Sequence, residues 1–224
     1  MNRAMILPLL FGLVGAAILA GLCIWQVQRL AWKEGVLAEI NSRIDATAIP
    51  VPAKADEARD KFAPVTFQGN LTGQEIRILA SIKQVGAVYR VISVLDTDQG
   101  RILLDRGHIP VQGGGDTAIT GPVSGSGNLH WPDEIDSFTP EPDLAANLWF
   151  ARDLPAMAAH LKTEPILIIA RQMTQTDPPV TPLPLSAEGI PNNHLQYAIT
   201  WFLLCLVWLG MTAFLLWRIR SRAG

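Results

Sequence analysis

This sequence of 224 residues contains only two cysteines, and neither lies where a disulfide could stabilise a folded domain. Cys23 and Cys205 fall inside long apolar runs, and residues 26–197 contain no cysteine at all. A disulfide framework and a Cys-x-x-Cys redox or zinc motif are therefore excluded for this middle region. A segment of this length is large enough to hold itself together by packing alone.

Sequence signatures of common catalytic sites are also absent. There is no Gly-x-Ser-x-Gly, His-Glu-x-x-His, Walker loop or Cys-x-x-Cys-His motif. Three of the four histidines, His108, His130 and His160, are scattered through the middle region without metal-ligand spacing, which favours structural or surface roles for them. These absences argue against hydrolases, zinc enzymes, thiol oxidoreductases and c-type cytochromes, and they predict a protein that is not an enzyme and takes no small-molecule substrate.

The chain also lacks a basic stripe that could neutralise phosphates. All 20 acidic residues and 14 of the 18 basic residues lie within 26–197, which gives this region a net charge of about −6. Nucleic acid is therefore not an expected partner.

What the chain does contain is a long apolar run near each end. Residues 5–25 carry no charge and reach the roughly 20 residues that a bilayer crossing needs, and residues 194–217 form the second run. A cleaved signal peptide is the alternative for the first run, but that run exceeds the usual ~7–15 apolar residues and no small-x-small cleavage site follows it. Two membrane-spanning helices are predicted.

Charge near the second run sets the expected orientation. Arg218, Arg220 and Arg222 follow it, whereas no Lys or Arg lies between Arg171 and its start, which favours a cytoplasmic C-terminus. With two spans, both termini are then cytoplasmic and the middle region is exported. Because the first run begins at once and leaves no room for an organelle presequence, a bacterial inner membrane is the predicted location.

The middle region has the pattern of a β-rich domain. Short segments rich in β-branched and aromatic residues are separated by turn residues at 65–67, 75–83, 88–95, 101–109, 117–123 and 166–170, with a helix predicted at 154–161. The expected fold is an α+β membrane protein in which two transmembrane helices flank an antiparallel, β-rich exported domain. The predicted segments are a first span at 5–25, the exported domain with an N-terminal helical extension at 26–176, a Pro-rich linker at 177–193, a second span at 194–217 and a basic tail at 218–224.

Two helix faces are candidate interaction surfaces. On a helical wheel, one stripe of the second span begins with an imidazole and carries two indoles; it comprises His194, Ala198, Trp201, Cys205, Trp208 and Thr212. The stripe is either an interfacial histidine with aromatic neighbours, or a porphyrin or metal site in which His194 supplies nitrogen to iron. The first span has a thin side formed by Gly12, Gly15, Ala16 and Cys23, which could pack on the second span or on a partner subunit.

Three segments resemble the Surfeit-locus-1 (Surf1/Shy1) family: 25–33 (WQVQRLAWK), 104–110 (LDRGHIP) and 191–202 (PNNHLQYAITWF). The likeness covers nearly the whole chain, including the arrangement of two spans. One departure is His108, because the family commonly has Trp after this Arg-Gly pair.

This resemblance implies an assembly factor for the haem–copper cytochrome c oxidase that binds haem a transiently and assists its insertion into the catalytic subunit. By the same resemblance, His194 matches a family histidine that ligates haem iron, and Tyr197 and Trp201 are predicted to contact the cofactor. Expected partners are the oxidase catalytic subunit, haem a synthase and the membrane. The alternative function is a membrane-anchored scaffold that stabilises an oxidase intermediate without binding haem.

Overall fold

The computed structural model describes residues 5–83, 85–112, 115–175, 180–187 and 190–223. The chain divides into two compact units, with boundaries between Glu39 and Ile40 and between Ser186 and Ala187. One unit contains the long helices at the two ends of the chain, and the other contains the β-rich region between them.

The described residues form four helices and seven strands. The helices are α1 (Ile6–Ile44), α2 (Glu57–Asp60), α3 (Leu154–Leu161) and α4 (His194–Ala223). The strands are β1 (Ile49–Pro50), β2 (Pro64–Ile82), β3 (Gly86–Thr97), β4 (Gly100–Pro110), β5 (Thr120–Leu129), β6 (Leu148–Trp149) and β7 (Leu167–Met173). This confirms the predicted fold class, an α+β protein whose β-rich domain is preceded and followed in the sequence by an apolar helix.

Five strands close into a barrel because β2 is long enough to pair with two neighbours. Its first half pairs with β5, through Pro64 to Thr72, and its second half pairs with β3, through Asn70 to Ile82. The pairs β3–β4, β4–β7 and β7–β5 complete the ring. Closure leaves these strands without an unpaired edge of the kind that promotes aggregation.

The pairing is mainly antiparallel, as predicted, but the described residues also contain parallel pairs. β4 runs parallel to β7, and the two-residue strands β1 and β6 each run parallel to part of β2. The chain between β4 and β7 passes through β5 and α3 before it returns, and a connection of that length allows a parallel pair.

The two faces of the barrel strands pack into two separate apolar clusters. One cluster lies between the strands and α3, and it contains Ile76, Ile92, Leu103, Trp149, Leu154, Met157, Leu161 and Leu167. The other contains Val65, Phe67, Leu71, Leu95, Ile102, Leu104, Leu129 and Ile168. Neighbouring residues of β4 alternate between the clusters, as the two-residue period of a strand requires.

Helix α3 has the bounds that the sequence predicted, because local signals define both ends. The Asp153 side chain accepts a hydrogen bond from the Ala156 N–H at 3.0 Å, and Pro155 occupies the first turn, where its missing N–H has no cost. Lys162 adopts a left-handed conformation and ends the helix.

A segment after β7 pairs antiparallel with β4 at His108 and lies against Gly107. Thr181 and His108 exchange two backbone hydrogen bonds of 2.9 Å, and a Cβ atom on Gly107 would overlap the Thr181 carbonyl. Thr181 lies in the predicted 177–193 linker, of which residues 177–179, 188 and 189 lie outside the described residues, as do residue 176 and the terminal residue 224. The domain boundaries, and the export of the domain, stay predictions.

Gly107→Ala is expected to destabilise the barrel, because φ at this position is 122° and the space beside it is filled by Thr181. The backbone strain alone is worth about 1–3 kcal/mol, and the overlap adds to it. Gly100→Ala is the matched control: φ there is 125°, but nothing lies within 4 Å of the added Cβ. Urea unfolding of the full chain in detergent should show a larger loss of stability for Gly107→Ala than for Gly100→Ala. Equal losses would contradict the close contact between Gly107 and Thr181.

Candidate functional site

Helices α1 and α4 have the properties of membrane spans. Each is long and apolar enough to cross a bilayer, and only 11% of the most apolar stretch of α1 and 6% of that of α4 are buried. The core helix of a soluble protein is, by contrast, mostly buried. Together with their positions near the two ends of the chain, this indicates a two-pass membrane protein.

The thin side of α1 packs against the histidine-bearing stripe of α4. The Trp208 indole N–H donates a hydrogen bond of 2.9 Å to the Gly12 carbonyl, and the Cys205 thiol lies 3.5 Å from the Ala16 carbonyl. A Cβ atom on Gly15 would lie 2.5 Å from the Trp208 ring. Small residues therefore let the two backbones approach closely. Of the two predicted partners for the thin side of α1, the structure shows the second span.

His194 is the first residue of α4 and is half-buried. Its Nδ1 atom lies 2.8 Å from Oε1 of Gln26, a side chain of α1 that is only 8% exposed. If Nδ1 carries the proton and donates it to the amide oxygen, Nε2 keeps its lone pair. A neutral imidazole in this state is the form that ligates a metal, and metal-bound histidines almost always donate their other ring N–H in this way.

The other two predicted site residues lie at different positions relative to His194. Trp201 is half-buried on the same stripe, seven residues or about 10 Å further along α4. Tyr197 lies off the stripe and is 54% exposed. Trp208 packs on Gly15 and the Phe11 ring and is a helix-packing residue. The assignment of His194, Tyr197 and Trp201 as cofactor contacts stays a prediction.

A single histidine suits a haem better than a bare metal ion. Among the described residues, no group of three or more His, Cys, Asp or Glu side chains could hold a metal. A porphyrin supplies four nitrogens itself, so one imidazole is a sufficient protein ligand for its iron. The donor at His194 therefore fits a haem.

Gln26 is the site residue that sequence reasoning missed. The segment 25–33 contributed to the family resemblance, but no role was assigned to its amide. The signal was present in the spacing: Gln26 follows Cys23 by three residues, in phase with the thin side of α1. A polar residue on the packed face of α1 needs a polar partner, and that partner is 168 residues away in the sequence.

The segment 104–110 forms a buried ion-pair network in the barrel. The Asp105 carboxylate is fully buried and accepts two hydrogen bonds from Arg90, at 2.5 and 2.9 Å, and one from the Gly107 N–H. Arg152 lies 4.0 Å from Asp105 and also pairs with Glu134. These contacts give the segment a structural role in the barrel.

Two of the three histidines of the barrel unit, His130 and His160, contact aromatic rings. The His130 ring stacks on Phe62, and burial, followed by the nearby charges of Arg152 and Lys61, lowers the pKa of His130 to about 4. His160 contacts the Trp149 ring. A histidine with this pKa is neutral at physiological pH, as expected of a structural residue.

The fold and site define a class: a two-pass membrane protein with a β-barrel domain and a histidine held between its two spans. A sequence model of the SURF1 family matches residues 13–206. Surfeit locus protein 1 from Rattus norvegicus is 32% identical over 209 residues, covering 83% of this chain and 68% of the relative. The Homo sapiens protein is 32% identical over 208 residues (81% and 68%), and the Takifugu rubripes protein 28% over 213 residues (83% and 87%). The chain belongs to the SURF1 family.

This membership confirms the resemblance found in the three sequence segments. It implies a role in cytochrome c oxidase assembly, in a family of assembly factors that is not a known enzyme family.

Proposed function

We propose that this chain binds haem a transiently at His194 and assists its insertion into the catalytic subunit of cytochrome c oxidase. The observation that carries the proposal is the hydrogen bond between His194 Nδ1 and Gln26, which holds the imidazole between the two spans and leaves Nε2 for iron. In this role the protein is a carrier and not an enzyme, and haem a is its cargo.

The position of His194 suits an apolar cargo. It begins α4, where the exposed apolar side chains of the span start, so a hydrophobic macrocycle bound there would be shielded from water on its membrane side. Trp201, on the same stripe, and Tyr197, at the exposed side, are proposed to contact the macrocycle. A single axial imidazole is a ligand that a histidine of the receiving protein can displace.

The proposed location is a bacterial inner membrane with both termini cytoplasmic and the barrel in the periplasm. The three arginines after the second span and the acidic balance of the middle region support this orientation. The proposed partners are the oxidase catalytic subunit and haem a synthase, both of which would be reached within the membrane or at its periplasmic surface.

A scaffold without haem is the second candidate, and one feature of the barrel unit favours it. The segment between β5 and β6 exposes three large apolar side chains, Ile135, Leu144 and Phe138, the last of which is 89% exposed. Exposed apolar side chains close together in the sequence are typical of a surface that contacts another protein.

The two candidates differ in what they predict for assembled oxidase. In cells whose own copy is replaced by His194→Ala, the carrier function predicts normal amounts of catalytic subunit with a several-fold lower haem a content per subunit. His160→Ala, a change at an exposed histidine of the barrel unit, should leave both quantities unchanged. Subunit amount and haem a are measured by immunoblot and by extracted-pigment chromatography. An unchanged subunit amount with an unchanged haem a content would favour the scaffold, because the proposed scaffold surface does not include His194.

A further inference from the structure

Gln26 has an environment that requires an explanation. Gln26 is only 8% exposed, on the side of α1 that packs against α4, and burying an amide without a hydrogen-bond partner costs several kcal/mol in an apolar medium (roughly 2–7). Its oxygen lies 2.8 Å from His194 Nδ1. The amide oxygen of Gln26 and Nδ1 of His194 are therefore hydrogen-bonding partners across the two helices.

We propose that Gln26 is a positioning residue that selects the tautomer of His194 and orients its ring for axial ligation of haem iron; this inference rests on the proposed haem-binding function. The amide oxygen faces Nδ1, so the proton is held on Nδ1 and the lone pair on Nε2. With the amide reversed, its NH₂ group would favour the proton on Nε2, and that nitrogen could not bind iron.

The chemistry of an amide also suits a carrier that must release its cargo. A carboxylate acceptor at this position would increase the basicity of the imidazole and strengthen the bond from Nε2 to iron. An amide acceptor also orients the ring, but it increases the basicity of the imidazole less than a carboxylate does. Gln26 therefore fixes geometry while it leaves the hold on iron weak enough for transfer.

The proposal is tested by titrating full-length protein in detergent micelles with ferric haem a and following the Soret absorbance. Gln26→Leu removes the acceptor at similar size and should weaken binding by about 10–100-fold, the usual effect of losing the hydrogen-bond partner of a metal-bound histidine. Gln26→Glu keeps an acceptor and should retain binding, with slower haem loss to apomyoglobin than the parent shows. Gln28→Leu, an exposed position two residues along the same helix, is the matched control and should bind as the parent does.

A double variant distinguishes positioning from a general packing effect. If Gln26 acts through His194, adding Gln26→Leu to His194→Ala causes no further loss of affinity. Parent-like binding by Gln26→Leu would overturn the proposal, and so would equal losses in the Leu and Glu variants. If Gln26→Leu fails to fold, Gln26→Met replaces it as the variant without an acceptor. Parent-like binding by His194→Ala would instead refute the haem-binding function itself, so the two failures are separable.

Discussion

Protein carrying His194→Ala is expected to be purified without a Soret band from cells that make haem a, whereas the parent protein carries one. His194 Nε2 is the nitrogen that the Gln26 hydrogen bond leaves free, and no second histidine lies in the described part of the helical unit. Loss of a partner of the ligand costs about 10–100-fold in affinity, so loss of the ligand itself should cost 100-fold or more. Absorbance spectra at equal protein concentration measure the effect.

Loss of the Soret band in His194→Ala is evidence for a haem ligand only if the variant keeps its fold. The contacts between Trp208 and Gly12 and between Cys205 and Ala16 do not involve His194, so helix pairing should survive. Circular dichroism and the thermal midpoint should therefore match those of His160→Ala, which should also retain its Soret band. A variant that kept the parent's haem content with the same fold would refute a site at His194.

Asp105→Asn is expected to cause the largest loss of stability in the barrel. The carboxylate is fully buried, and its removal takes away the ion-pair partner of Arg90, whereas Arg152 keeps its pair with Glu134. Breaking a buried ion pair by removal of one partner typically costs about 3–5 kcal/mol, because the remaining charge stays desolvated. Urea unfolding of the full chain in detergent, followed by the far-ultraviolet signal of the strands, measures the change.

Glu134→Gln provides the matched control for Asp105→Asn. It makes the same carboxylate-to-amide change in the same network, but Glu134 is 38% exposed and pairs with Arg152 near solvent. Exposed pairs contribute about 1 kcal/mol or less. If the two variants lost equal stability, burial of Asp105 would not be the source of the effect.

The parts of the fold that could be predicted from the sequence are those with local causes. The Asp153 cap and Pro155 define α3, and the alternating apolar residues of β3 and β4 place both strands within two residues of their observed bounds. The two apolar runs, by their length, predicted a helix near each end, although α1 continues to Ile44, well beyond the predicted span of 5–25.

Barrel closure could not be predicted in this way, because it depends on pairs that are distant in sequence. The segments 65–67 and 75–83 are one strand, and a register shift between Leu71 and Glu75 lets its two halves pair with different neighbours. The parallel pair of β4 and β7 likewise joins residues more than 60 positions apart, such as Leu103 and Leu167. Alternation within a segment carries no information about such partners.

For the candidate site too, features within one helix could be predicted from the sequence, and contacts between the helices could not. His194 and its stripe follow from helical spacing, and the thin side of α1 follows from its small residues. The role of Trp208 as a packing residue, and the pairing of Gln26 with His194, depend on which face of α1 meets α4. That choice is made by packing between helices whose contacting residues are 168–196 positions apart.

Electron–nuclear double resonance on the ferric, haem-loaded protein, with histidine isotope-labelled at Nε2, tests most directly whether His194 ligates the haem iron. A histidine bonded to iron shows a hyperfine coupling from that nitrogen, which unbound histidines do not. We expect the coupling in the parent protein and in His160→Ala, and its loss in His194→Ala. A parent protein without the coupling, or a His194→Ala protein that kept it, would contradict ligation of haem iron by His194.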